Sequence, residues 1–245
     1  MPDKGFPADA KVRIRFAVAL AAVAGIADAI GFIQYSQLFM SFMSGNTTRF
    51  GEAASTADWT QVARFGGVIV LFCFGAFAGT LMAAWAKRWR LATLLTIQAC
   101  LLAVGNVIPQ GSEAVPLHAY PVVLALGLQN ATLQDEAGRS LALTYVTGSV
   151  VRFGAGLANM LLHKPAPSFW IQGPLWAGLT VGAVVGGLLA NRFGEAAFLA
   201  PAALSAGLAL VALVMTIRNP ESDAVASEFA PQPDAHPDAK PTVVL

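Results

Sequence analysis

Long apolar segments alternate with short polar or charged stretches along most of this chain. Six of these segments approach the roughly 20 residues that a helix needs to cross the hydrocarbon core of a bilayer. They cover residues 14–33, 62–86, 91–108, 119–133, 171–190 and 197–217. The pattern predicts an all-α, polytopic membrane protein with about six transmembrane helices.

Two amphipathic segments, at residues 38–55 and 141–162, lie between these spans and carry the same motif. Residues 42–51 read FMSGNTTRFG, and residues 145–154 read YVTGSVVRFG. The flanking sequences are also similar: GIADA at 25–29 matches GLQNA at 127–131, and GAFAG at 75–79 matches GAVVG at 182–186. This internal repeat predicts two copies of one three-helix membrane unit, each with the S/T-G-x-x-x-R-F-G motif in a short re-entrant or broken helix.

The repeat divides the chain into four parts. They are a basic N-terminal segment at residues 1–13, a first membrane repeat at 14–109, a second membrane repeat at 118–218 and a C-terminal tail at 219–245. The tail is rich in proline and acidic residues and has too little apolar surface to bury a core. We therefore expect it to be disordered.

Composition supports the membrane interpretation. Hydrophobic residues make up 56% of the chain and charged residues 12%, whereas soluble domains contain about 25% charged residues. A chain with so few charges cannot cover a water-facing surface, so the lipid bilayer is its expected partner. The formal net charge of +1 gives no indication of a nucleic-acid partner.

The positions of lysine and arginine predict how the spans are oriented, because these residues concentrate in cytoplasmic loops. Two clusters stand out: Lys4, Lys11, Arg13 and Arg15 at the N-terminus, and Lys87, Arg88 and Arg90 after the second span. Both clusters lie in the cytoplasm if each motif segment stays on one face. We therefore predict a bacterial inner-membrane protein with cytoplasmic termini and three spans per repeat, which makes the repeats inverted. Motif segments that cross fully, and a cleaved signal peptide at the N-terminus, are the alternatives.

One acidic residue lies deep in the first span. An ionised side chain at the bilayer centre costs about 2.5 to 3.5 kcal/mol, so Asp28 needs a partner or a water-filled cavity. Arg49 and Arg152, one in each motif, are the candidate partners. Alternatively, either arginine extends to the membrane interface, and Glu52 is a local helical partner for Arg49.

The motifs contain residue types that begin helices. In the first copy they are Ser44, Gly45, Asn46 and Thr47, and in the second they are Thr147, Gly148 and Ser149. If short helices begin there, their first backbone N–H groups can bind an anionic or hydrogen-bonding solute. Gln129 and Asn130 match the position of Asp28 in the second half and would add neutral hydrogen-bonding groups. The alternative is that these glycines only allow close packing and the polar side chains only cap helices.

The sequence GIADAIGF at residues 25–32, followed by SFMSGNTTR at 41–49, resembles the signature of the YoaK family of small bacterial inner-membrane proteins. GLQNA at 127–131 and the Thr147-Gly148 pair resemble the second-half signature of the same family, so the resemblance covers residues 16–217. It implies a membrane protein and no particular substrate. Val150 and Val151 replace the hydroxyl pair of the first copy, so a site built from both copies would be chemically unequal.

These features favour a permease or channel for a small polar or anionic solute. Asp28 would bind a proton, a cation or a substrate amine, and the arginines would balance it or bind an anion. A non-transporting scaffold or sensor is the alternative. The sequence contains no HExxH, GxSxG or nucleotide-binding loop pattern, so we expect no enzyme activity, metal or cofactor. Homo-oligomer formation is left open.

Overall fold

The computed structural model describes residues 10–108, 117–132, 146–164 and 169–218. Within these residues the fold is all-helical. The α-helices are α1 (Ala10–Gln34), α2 (Met43–Ser55), α3 (Trp59–Ala86), α4 (Arg90–Val107), α5 (Ala119–Gln129), α6 (Val146–Leu161), α7 (Gln172–Phe193) and α8 (Leu199–Arg218). The basic N-terminal residues 1–9 and the C-terminal tail lie outside the described residues.

Several of the helices are long and apolar enough to cross a membrane. Four stretches of the described chain meet that condition: Lys11–Gln34, Trp59–Val107, Gln172–Phe193 and Ala196–Arg218. The second contains both α3 and α4, which are joined by a short 3-10 turn at Lys87–Trp89, where the φ angle of Lys87 is +46°. The expected all-helical membrane fold is confirmed at this level. The expected count of six spans stays a prediction, since α5 has only 11 residues.

The second and third long helices of each half run antiparallel. Phe65 near the start of α3 shares an apolar cluster with Leu102 near the end of α4, and Ala83 near the end of α3 shares another with Leu94. In the second half, α7 and α8 also run in opposite directions, because Leu175 near the start of α7 shares a cluster with residues near the end of α8. The chain therefore reverses between α3 and α4 and again between α7 and α8.

Helices of the two halves also pack on each other. Helices α4 and α8 are antiparallel neighbours, since Leu91 near the start of α4 clusters with Ala212 near the end of α8. Helix α1 packs against α7, and α3 packs against α5. When the motif helices α2 and α6 are counted, the first helix of each half thus contacts the third helix of the other half. The motif helices pack on the third helix of their own half, α2 on α3 and α6 on α7.

Glycines bring the helices of these cross-half pairs close together. A Cβ atom added to Gly182 would lie 2.8 Å from the Cα atom of Ala22, and one added to Gly186 would lie 2.8 Å from the Cα atom of Ile26. A Cβ atom on Gly75 would lie 2.5 Å from the carbonyl oxygen of Leu124. Small residues at a helix crossing allow backbones to approach and are typical of membrane interiors. Because residue numbers rise together along α1 and α7, these helices are parallel.

We predict that Gly182→Ala destabilises the protein and that Gly207→Ala does not. The added methyl group of Gly182→Ala would overlap the backbone of α1, and overpacking of this kind costs about 1 to 3 kcal/mol. Gly207 lies in α8 with nothing within 4 Å of its added Cβ atom, so its replacement should change stability by less than about 1 kcal/mol. Thermal unfolding of the purified proteins in detergent measures both. Equal melting temperatures for the two variants would contradict the close α1–α7 crossing.

Candidate functional site

Asp28 holds a non-helical segment of the first motif against α1. Its Oδ1 atom accepts hydrogen bonds from the backbone N–H groups of Met40, at 2.7 Å, and of Ser41, at 2.6 Å. Its Oδ2 atom accepts one from the Ser41 hydroxyl group at 2.6 Å. The carboxylate therefore fixes residues 40–41, which follow the end of α1 and precede α2, to the C-terminal third of α1.

The segment leaves the helix through a left-handed turn. Ser36 and Gln37 have φ values of +44° and +65°, a conformation that commonly ends helices. The chain then passes close to α1 at Gly31, where an added Cβ atom would lie 2.8 Å from Met40 Cγ and 2.9 Å from the carbonyl oxygen of Leu38. Glycine at this position is therefore required for the segment to reach Asp28.

Asn46 holds the same segment from the side of α2. Its Nδ2 atom donates to the carbonyl oxygen of Phe39 at 2.8 Å, and its Oδ1 atom accepts from the backbone N–H group of Phe39 at 3.1 Å. The Asn46 side chain is fully buried. Non-helical backbone within a membrane protein is tolerated only where its polar groups have partners. Asp28 and Asn46 supply those partners for three consecutive residues, 39–41.

The N-terminus of α2 differs from our expectation. Helix α2 begins at Met43, and its first N–H groups are largely used within the chain: those of Gly45 and Asn46 donate to the carbonyl oxygen of Phe42 at 3.1 and 3.3 Å. These two N–H groups thus have partners within the chain, and a solute-binding role for the first motif stays a prediction. A Cβ atom on Gly45 would lie 2.6 Å from the Phe42 ring, so this glycine serves close packing. Its neighbours Ser44 and Thr47 are exposed.

The arginines do not face Asp28, contrary to the hypothesis that they balance it. Arg49 lies 3.7 Å from Glu52 on the same helix. Arg152 donates to the carbonyl oxygen of Gly148 at 3.3 Å and is exposed. Long cationic side chains extend toward polar surroundings, whereas Asp28 is already satisfied by neutral donors and lies beside apolar residues. Within the described residues, Asp28 thus accepts hydrogen bonds from the motif segment and not from Arg49 or Arg152.

The counterpart of the motif segment that contacts Asp28 falls outside the described residues of the second half. Asn130, the counterpart of Asp28, donates to the carbonyl oxygen of Leu126 on its own helix at 3.0 Å. Thr147 is exposed and Ser149 is buried in the first turns of α6. Residues 133–145, which contain the start of the second motif segment, lie outside the described part of the chain.

Gln129 belongs to a buried polar network that joins four helices. Its Nε2 atom donates to the carbonyl oxygen of Leu20 in α1 at 3.1 Å, and its Oε1 atom accepts from Gln98 of α4 at 2.7 Å. The Gln98 amide also donates to the hydroxyl group of Ser205 in α8 at 3.1 Å. Gln98 and Ser205 were not predicted as site residues. Each is an isolated polar residue within an apolar segment, and that signal could have identified both.

A cavity of about 460 Å³ lies beside Asp28. It is bounded by α1, by the motif segment and by α7 of the other half, and its lining residues are Gly25, Asp28, Ala29, Phe32, Ile33, Phe39, Ser41, Phe42, Leu179, Ala183 and Gly187. Asp28 and Ser41 supply the polar side-chain atoms in this wall, and the remaining residues are apolar. A cavity of this size with few polar groups is typical of small-molecule sites.

The apolar helices and the carboxylate site within them define a polytopic integral membrane protein. The chain belongs to the family described as protein of unknown function DUF1275, whose model matches residues 16–211. It is 32% identical over 206 residues to the UPF0700 transmembrane protein RA0705 of Rhizobium meliloti (strain 1021), which covers 84% of this chain and 85% of that protein. No solved structure matches. The narrower resemblance to the YoaK family stays a prediction.

We predict that Asp28→Ala strongly destabilises the protein and that Asp28→Asn does so only slightly. Alanine would leave three donors without an acceptor, and each buried unsatisfied group costs about 1 to 3 kcal/mol. Asparagine keeps the shape and one acceptor oxygen, so we expect a loss of about 1 kcal/mol. Thr47→Ala, at an exposed position of the same motif, should change stability by less than about 0.5 kcal/mol. Unfolding of purified protein measures all three, and a wild-type melting temperature for Asp28→Ala would contradict this role.

Proposed function

We propose that this protein is a permease or channel for a small polar solute, with the cavity beside Asp28 as its solute site. The observation that carries the proposal is the position of the carboxylate: it lies in the wall of a cavity of about 460 Å³ between α1 of one half and α7 of the other. Solute sites of membrane transporters lie between repeats, next to interrupted helices. The non-helical segment at residues 38–42 is such an interruption.

The proposal includes two inverted repeats, and the helix directions support it. Helices α1 and α7 are parallel, α3 and α5 are parallel, and the pairs α3–α4, α4–α8 and α7–α8 are antiparallel. Each helix therefore runs opposite to its counterpart in the other half: α1 to α5, α3 to α7, and α4 to α8. A two-fold axis in the membrane plane relates units in this way.

The contacts at the crossings support the same symmetry. An added Cβ atom on Gly25 would meet the carbonyl oxygen of Leu179, and one on Gly127 would meet that of Phe72. Gly25 and Gly127 are equivalent in the sequence repeat. Such matching contacts are expected if the two halves pack against each other with two-fold symmetry.

Asp28 would couple solute binding to movement of the motif segment. The carboxylate in its ionised form accepts three hydrogen bonds from residues 40–41. A proton, a cation or a solute amine at this carboxylate would compete with those bonds and loosen the segment that bounds the cavity. Because the described lining contains no basic residue, the geometry favours a solute that donates hydrogen bonds over a simple anion at this site.

We predict that Asp28→Asn abolishes solute movement or separates it from the proton gradient while the protein stays folded. The amide keeps the size of the carboxylate but cannot ionise. Purified protein in liposomes, loaded with a panel of small metabolites and assayed by mass spectrometry with and without a pH gradient, measures this. Ser205→Ala is the matched control, since it removes a buried hydrogen bond away from the cavity and should leave transport within about twofold.

Two outcomes count against the proposal. If no solute crosses faster than in protein-free liposomes, the transport function is wrong. If solutes do cross and Asp28→Asn moves them at the wild-type rate, the assignment of Asp28 is wrong.

We further propose an inner-membrane location with both termini in the cytoplasm. The basic residues near the N-terminus and at Lys87, Arg88 and Arg90 support it, since such residues concentrate on the cytoplasmic side. A reporter fused after Leu245 should be active only as a cytoplasmic reporter. Activity of a periplasmic reporter at the same position would exclude this orientation.

A scaffold or sensor without transport is the second candidate. It is favoured by one observation: the carboxylate of Asp28 accepts three hydrogen bonds from residues 40–41 and so fastens the motif segment to α1. A carboxylate that only fastens a loop needs no solute. The liposome assay separates the two candidates, because a scaffold would move no solute and would still lose stability on Asp28→Ala.

A further inference from the structure

A second cavity, of about 340 Å³, lies where α2 and α3 meet the turn after α1. It shares no lining residue with the cavity beside Asp28. Four charged side chains line it: Arg49, Glu52, Asp58 and Arg64. Charged groups are costly in hydrocarbon, so this end of the bundle faces water. The neighbouring Trp59 is exposed, as expected of an indole ring at the membrane interface.

The two arginines lie at different depths. Arg64 is only 3% exposed and, six residues along α3 from Asp58, is about 9 Å further into the bundle. It donates hydrogen bonds to the carbonyl oxygen of Tyr35 and, at 3.4 Å, to Gln61 Oε1. Arg64 therefore forms the floor of the cavity, with its guanidinium group held in place by neighbouring backbone and amide oxygens.

Arg49 and Glu52, in the wall of the cavity, are held less firmly than Arg64 in its floor. Arg49 and Glu52 are separated by 3.7 Å, and their side chains are 31% and 67% exposed. Ion pairs at such exposure are weak, because water screens them. Both groups can therefore rearrange around a ligand. Asp58 is less available, since its Oδ1 atom accepts from the Gln61 backbone N–H group at 3.1 Å and caps α3.

We propose that this cavity binds a small zwitterion, with its carboxylate or phosphate group held by Arg49 and Arg64 and its ammonium group held by Glu52. Two cations and two acids line the cavity, so its charges balance. A simple anion would leave Glu52 and Asp58 facing like charge, and a simple cation would oppose the arginines. A solute that carries both signs satisfies both sets at once.

Two sources share this chemistry. One is a free zwitterion in solution, such as an amino acid. The other is the headgroup of an aminophospholipid, which joins a phosphate group to an ammonium group and lies at the depth of an interface cavity. The site is independent of the transport proposal, because binding can be measured without solute movement.

The test is calorimetric titration of the full-length protein in nanodiscs of phosphatidylglycerol. The probes are L-alanine and, at a pH of about 5 where its phosphate carries one charge, phosphoethanolamine; both are then zwitterions, and propionate and ethylamine are the fragments of one charge. We expect at least one zwitterion to bind at least tenfold more tightly than both fragments. If neither zwitterion exceeds the fragments by more than twofold, the proposal is wrong.

Substitutions test which side chain binds which charged group of the zwitterion. Arg49→Gln should weaken binding of the zwitterion at least tenfold, and Glu52→Gln should weaken it while leaving propionate binding unchanged or tighter. Arg152→Gln is the matched control, since Arg152 occupies the equivalent motif position, is exposed and does not line the cavity. It should bind as the wild type does. Equal affinities for Arg49→Gln and Arg152→Gln would overturn the assignment.

A final experiment distinguishes the phospholipid headgroup from a free zwitterion as the ligand. Nanodiscs that contain phosphatidylethanolamine supply the headgroup in the membrane. If they reduce binding of free phosphoethanolamine at least fivefold, the lipid headgroup occupies the cavity. Unchanged binding assigns the cavity to a free zwitterion.

Discussion

The hydrogen bonds from residues 40–41 to the carboxylate of Asp28 attach the non-helical segment between α1 and α2 to α1. A chain that leaves the helical conformation inside a membrane protein has N–H and C=O groups without helical partners, and hydrocarbon supplies none. Asp28 and Asn46 meet that demand from two sides. These contacts hold residues 39–41 in their non-helical path before α2, and residues of this segment form one wall of the cavity beside Asp28.

The halves are joined by backbone contact at glycines. Helix α1 contacts α7 and α3 contacts α5, so the first helix of each half finds its neighbour in the other half. At Gly75 and Gly182 even one added methyl group would meet backbone atoms. Such crossings leave no space for a side chain to adjust. Any change in the relative position of the halves must therefore move α1 with α7 and α3 with α5 as paired units.

The two cavities differ in the charged groups that line them. The carboxylate of Asp28 is stabilised by neutral donors in a mainly apolar wall, while Arg49 and Arg64 share a cavity with Glu52 and Asp58. A buried carboxylate needs donors at close range, and the motif segment brings them. An arginine needs water or acids, and the α2–α3 corner offers both. The described part of the chain thus has two chemically distinct cavities, one between the two halves and one within the first half.

The sequence by itself determined the all-helical membrane fold, because long apolar segments with few charges are stable as helices in the hydrocarbon core of a bilayer. It also identified Asp28 and the first motif as unusual, since polar residues in an apolar run are costly. It did not reveal the partner of Asp28. Two of the three donors to Asp28 are backbone N–H groups of residues 40–41, and the third is the Ser41 hydroxyl group. The left-handed turn at Ser36 and Gln37 and the close approach at Gly31 bring them to Asp28, and backbone donors have no signature in a sequence. The cavity around Arg64 and the link between Gln98 and Ser205 join residues from different helices, so only the tertiary structure could place them together.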